Sequence, residues 1–142
     1  MTLDYRDLLF DKFRYGGRGE IEKGIRYWDC YGISREVLKR VGKDLPEFNY
    51  TDDLVEIAGL IEKNRDLILE KIDKPEPYCL VAIQVVPEAV THCGVLLNHS
   101  SFIHMTEDHG PRVDSIDSPL WKNKLRGYFR YGQRVSTTNN SL

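Results

Sequence analysis

The chain has 142 residues, 41% of them hydrophobic, enough for one domain to bury a core without disulfides or a structural metal. Its net charge of -2 excludes a protein whose main work is neutralising nucleic-acid phosphates, which takes clustered Lys and Arg. No apolar run approaches the roughly 20 residues that cross a bilayer, and the acids in MTLDYRDLLFDKFRYGG break the stretch a secretory signal needs.

Leu3 to Phe13 carries Tyr5, Leu8, Leu9 and Phe13 at helical spacing and stops at Gly16-Gly17, which predicts a short opening helix. Gly16 to Gly24 reads as a glycine-rich loop. It is not a phosphate cradle, because no Lys-Ser or Lys-Thr follows it. Asp29 can cap a helix whose apolar stripe is Ile33, Val37, Leu38 and Val41, with Gly42 as its stop. From Asp52 or Asp53, the residues Leu54, Ile57, Ala58, Ile61, Ile68 and Ile72 predict a long scaffold helix ending before Lys74-Pro75.

Past the prolines the character changes. Tyr78 to Val86 is a continuous apolar, β-branched run, as in a strand covered on both faces, and further strands are expected at His92–Leu97, Ser101–Met105, Arg112–Ile116 and Leu125–Tyr131. Pro119 suits the start of a helical turn between the last two. From Gly110 onward six basic residues stand against two acids, which reads as a solvated basic face. Helices first and an antiparallel sheet second is the pattern of an α+β domain, here residues 1–134, followed by a Ser, Thr and Asn tail at 135–142.

Cys30 falls in the first turn of the Asp29-capped helix, where unpaired N–H groups and the positive dipole end favour a thiolate and a thiol pKa below the ordinary value. A carboxylate at Asp29 opposes this unless capping uses its charge. A hairpin centred on Asn98 would set His92 directly opposite His104, with Cβ atoms roughly 4.5 to 5.5 Å apart. Cys30, His92 and His104 would then supply the nucleophile, base and orienting partner of a cysteine peptidase, with the Cys30 N–H near the oxyanion. A zinc site from Cys30, His92, Cys93 and His104 is the rival, although adjacent strand residues such as His92 and Cys93 point to opposite faces. Each of these residues also has a bland reading as packing. Cys79 and Cys93 read as small core residues with free thiols, Trp121 as packing, and His99 and His109 as surface loop histidines.

The motifs resemble those of the NlpC/P60 cysteine peptidases, papain-like hydrolases of bacterial cell-wall peptides. An aromatic residue and Gly-Gly at Phe13 to Gly17, then Asp29-Cys30-Tyr31-Gly32 and Leu45-Pro46, are similar to the first motif; His92-Cys93-Gly94-Val95 and Phe102-Ile103-His104-Met105 are similar to the second. The resemblance implies Cys30 as nucleophile, His92 as base and His104 as third residue, with Phe13, Tyr15, Trp28, Asp29 and Tyr31 facing substrate and no cofactor. It implies hydrolysis of an amide in peptidoglycan stem peptides, at the bond after γ-D-glutamate. Trp28-Asp29-Cys30-Tyr31-Gly32, with Ser118-Pro119-Leu120-Trp121 and Gly127-Tyr128-Phe129-Arg130, is most similar to the branch found in phage tails. A virion location, other tail proteins as partners, and neither nucleic acid nor a membrane span are the matching expectations. Phe13 stands where the family often has tyrosine, and Tyr31 replaces a serine; the alternative is a structural tail protein that keeps the fold with little or no catalysis.

Overall fold

The computed structural model of the chain describes residues 3–45, 69–85, 87 and 92–132. A 3-10 turn at Arg6–Phe10 leads into strands β1 (Lys12–Phe13), β2 (Arg18–Glu22) and β3 (Ile25–Trp28), then helix α1 (Cys30–Arg40). After it come β4 (Leu69–Ile72), β5 (Leu80–Ile83), β6 (His92–Leu96), β7 (Ser101–Thr106), β8 (Gly110–Ser115), a 3-10 turn at Lys122–Lys124 and β9 (Leu125–Tyr131). The larger sheet has the order β4-β9-β5-β6-β7-β8 with antiparallel neighbours, and a small sheet β1-β3-β2 sits beside it.

α1 begins and ends where local chemistry requires. Asp29 is extended and caps it, and at the other end Gly42, at φ +83°, donates to the Lys39 carbonyl while Lys43 donates to that of Leu38. Its stripe of Ile33, Val37 and Leu38 packs on Leu80, Ala82, Cys93, Val95, Ile103 and Met105. The opposite face of the sheet carries Cys79, Val81, Ile83, Leu96, Phe102 and Trp121. β5 is thus buried on both sides, which is why its sequence is continuously apolar.

Three expected elements differ from what the chain forms. The opening helix is only the turn at Arg6–Phe10, because Lys12 and Phe13 pair in parallel with Tyr27 and Trp28 and leave the helical path. The expected glycine loop is a hairpin of β2 and β3: Lys23 and Gly24 at its tip both have positive φ, the backbone of a tight two-residue turn that matches strand twist. Most of the expected long helix lies outside the described residues. Its end at Leu69–Ile72, however, is a strand paired with Tyr128–Tyr131, so the edge of β9 overrides the helical spacing of Ile72. The turn expected from Pro119 forms: the Ser118 carbonyl accepts the N–H groups of Trp121 and Lys122, and the chain runs on into the 3-10 turn at Lys122–Lys124. The tail at 135–142 lies outside the described residues. Among the described residues, no helix is long and apolar enough to cross a membrane.

Candidate active site

Cys30 is held at the head of α1 by a contact between two glycines. A Cβ on Gly32 would collide with the Gly17 carbonyl oxygen, and one on Gly17 would lie 2.6 Å from the Trp28 backbone, so the chain before the helix can approach only because both lack side chains. Gly17 accepts the Asp29 N–H at 3.2 Å and the Arg18 guanidinium at 2.8 Å through the same carbonyl. The Asp29 carboxylate in turn accepts the Gly32 N–H at 2.6 Å and the Arg18 guanidinium at 2.7 Å. Its charge is used by a helix cap and a buried ion pair, which answers the objection that it would oppose a thiolate.

The two histidines meet, but not as direct partners. Val95 pairs with Ile103 and Leu96 with Phe102, a register two residues away from the one a loop centred on Asn98 implies. A slip of two keeps both rings on one face, and His92 reaches His104 diagonally, Nε2 to Nδ1 at 2.7 Å. Leu97 donates to the Ser101 carbonyl, so the turn is centred on His99, and Asn98 stands at its start, its side chain accepting the N–H groups of both Ser100 and Ser101. Continuing the register brings Gly94 opposite His104, where a Cβ would lie 3.0 Å from the His104 Cβ and 2.8 Å from the Ile103 carbonyl oxygen.

Beyond His104 the chain of contacts continues. His104 Nε2 lies 2.7 Å from Asp114 Oδ2, and both Asp114 oxygens are held by Arg112 at 3.2 Å. His104 is fully buried, boxed by Phe102 at 4.5 Å and the edge of Trp121 at 4.8 Å between ring centres, while Trp121 stacks on His92 at 6.3 Å. Burial lowers the His104 pKa against the upward pull of Asp114, so the ring is neutral. Burial raises that of Asp114, but hydrogen bonds from His104 and Arg112 outweigh it and keep the carboxyl below its usual range.

Cys30 is 5% exposed, with Cys93 and His92 near enough to its thiol for both to shift its titration. Cys93, facing α1, also lies 3.6 Å from the Cys30 carbonyl oxygen and from Ser34 Oγ. The contact with Cys93 and burial push the Cys30 thiol well above its ordinary value, while His92 pulls it down. The low thiol pKa expected from a helix N-terminus is therefore corrected: tertiary burial beside a second thiol outweighs the local dipole, and the resting sulfur is protonated.

The remaining expected site residues divide by exposure. Trp28 is buried, its indole N–H donated to Asp11 at 2.7 Å, and Tyr31 is buried with the Arg18 guanidinium over its ring at 5.4 Å. Phe13 is half-buried and meets the exposed Tyr15 edge-on at 4.8 Å. Cys79 is core, and His99 and His109 are exposed. Cys30, His92 and Cys93 lie near one another, but His104 is not open as a fourth zinc ligand, since both its nitrogens are engaged by His92 and Asp114, and among the described residues no group of His, Cys, Asp and Glu is placed to hold a metal ion. Sequence reasoning missed Asp114, Arg112 and Arg18. An acid within an expected strand is the signal that could have found Asp114, because Asp is disfavoured there without a specific partner.

Residues 11–130 match the NlpC/P60 family. Solved structures of similar fold include NlpC2 from Trichomonas vaginalis, with TM-score 0.62 and 18% identity over 89% of this chain and 43% of that one. A protein similar to a lipoprotein of the NLP/P60 family from Staphylococcus aureus gives TM-score 0.60 and 19% identity over 89% of this chain and 38% of that one. The chain thus spans less than half of either protein, and these likenesses establish the α+β papain-like fold. No curated protein matches the chain in sequence. With the motif match covering nearly the whole described domain, the chain belongs to the NlpC/P60 family, whose members are generally cell-wall peptidases.

Proposed function

We propose that the chain is a cysteine peptidase that hydrolyses an amide in peptidoglycan stem peptides, with the γ-D-glutamyl bond to the diamino acid as its target. The observation that carries this reading is the run of groups from His92, which acts on the Cys30 thiol, through His104 to the half-buried Asp114 carboxylate. Cys30 Sγ attacks the carbonyl carbon as its proton passes to His92, and the Cys30 N–H at the head of α1 receives the oxyanion. His92 then returns the proton to the departing amine, and water releases the acyl group from sulfur. A resting thiol does not obstruct this sequence, because proton transfer to His92 can accompany attack. Phe13 and Tyr15 form the substrate-facing surround in this reading, with the buried Trp28, Asp29 and Tyr31 supporting it from below.

We further assign the chain to a phage tail or related particle, with other tail proteins as its partners. This rests on the form of the motifs around Cys30, Trp121 and Tyr128 alone. A structural protein that keeps the fold without catalysis is the second reading, favoured by the 5% exposure of Cys30. Digestion of purified sacculi of several wall types, with fragments identified by mass spectrometry, tests both. The enzyme releases a defined peptide and Cys30→Ala does not; equal release, or none from either, refutes the peptidase.

A further inference from the structure

Asp114 stands in none of the motifs, yet it touches the one nitrogen that decides how both histidines are protonated. Its Oδ2 lies 2.7 Å from His104 Nε2, and a carboxylate held ionised by Arg112 can only accept. His104 Nε2 therefore carries the hydrogen. A neutral imidazole then has only an acceptor left at Nδ1, and the 2.7 Å contact there requires His92 Nε2 to be the donor. With its Nε2 protonated, a neutral His92 is left with a bare Nδ1, the nitrogen available to the Cys30 thiol. The opposite arrangement would set two lone pairs, on His104 Nε2 and on the carboxylate, against each other in a site where His104 is fully buried.

We propose that Asp114 is a positioning residue that fixes the tautomers of His104 and His92 in series, so that His92 presents an unprotonated Nδ1 to Cys30. The inference rests on the peptidase reading for its catalytic consequence, although the tautomers themselves do not depend on it. β8 places the group by the same diagonal geometry as the histidines. Asp114 pairs with Phe102 and Arg112 pairs with His104, so Asp114 sits two residues off on the shared face. The Asp114 side chain is 12% exposed, and Trp121 covers the neighbouring His104 ring, so no bulk water competes for the Nε2 hydrogen.

Long-range nitrogen–proton NMR of the imidazoles at pH 8 reads the tautomers directly. The wild-type protein is expected to show protonated Nε2 and bare Nδ1 on both His92 and His104. In Asp114→Ala, His104 moves toward protonated Nδ1, His92 follows it, and release of fragments from sacculi slows on the order of 10²-fold or more. A wild-type spectrum with protonated Nδ1 on His92 overturns the proposal without any variant, so a failure of Asp114→Ala to fold leaves it testable. A folded Asp114→Ala with unchanged tautomers and an unchanged rate also overturns it. Wild-type protein that shows the stated tautomers but cuts no sacculus supports the positioning role and refutes the peptidase reading alone.

Discussion

Gly94→Ala tests whether the diagonal meeting of the histidines matters. The added Cβ would lie 2.8 Å from the Ile103 carbonyl oxygen, 3.0 Å from the His104 Cβ and 3.1 Å from Phe102 Cδ2. Two of these contacts involve backbone or a Cβ, which cannot swing away, so β6 and β7 must part by several tenths of an ångström. Overpacking of this kind costs about 1 to 3 kcal/mol. The His92 to His104 bond, 2.7 Å long, crosses the same gap and would stretch with it. Misplacing a reacting group by about 1 Å can cost on the order of 10²-fold in rate, so a shift of part of that predicts a loss of about 10-fold or more.

Gly42→Ala is the matched control. Gly42 has φ +83° and open space around its would-be Cβ, so alanine there costs about 1 kcal/mol of backbone strain far from the histidines. Urea unfolding should show both variants destabilised, while only Gly94→Ala slows fragment release and perturbs the imidazole resonances. A folded Gly94→Ala that digests sacculi at the wild-type rate would refute the claim that this gap sets the geometry of the base.

Asp29→Ala removes the cap of α1 and strands the mostly buried Arg18, and should lower unfolding free energy by about 3 kcal/mol in urea titration. Alkylation of Cys30 by iodoacetamide should keep accelerating above pH 9, and Cys93→Ala should move that rise to lower pH by removing the main upward influence on the thiol; peptide mapping at stepped pH reads both. Burial holds His104 below its ordinary pKa, so the unfolded chain takes up that proton more readily. The stability it contributes is complete above about pH 6.5, the unfolded value, and is lost as pH falls toward the folded one. The urea midpoint should therefore decline from pH 7 to 5, and His104→Gln should flatten that slope.

The elements legible in the sequence are those set by chemistry within a few residues. Asp29 capping α1, Gly42 closing it and the continuous run of β5 needed no knowledge of the rest of the chain. The misread elements were decided from a distance. Leu69–Ile72 has helical spacing, but β9 offers it a row of backbone partners; the Lys23-Gly24 turn declares itself only once β2 and β3 are known to pair. The same division runs through the site. A dipole argument for Cys30 is local and favours a thiolate, whereas the burial and Cys93 contact that outweigh it arise when β6 packs under α1.

The histidine pair shows why two rings expected to face each other directly still meet when the register differs by two. Strand side chains alternate with a period of two, so any register error by an even number of residues leaves His92 and His104 on one face. What such an error changes is which residue lies opposite each ring, and here that difference is structural. With His92 directly across from His104, the residue at 94 would face Phe102 instead. In the diagonal arrangement position 94 itself faces His104, and only glycine leaves room for the ring to lean toward His92. The glycine two residues after His92 is thus the sequence's own record of the offset, and Asp114, two residues beyond the partner of His104 on β8, repeats the offset on the other side.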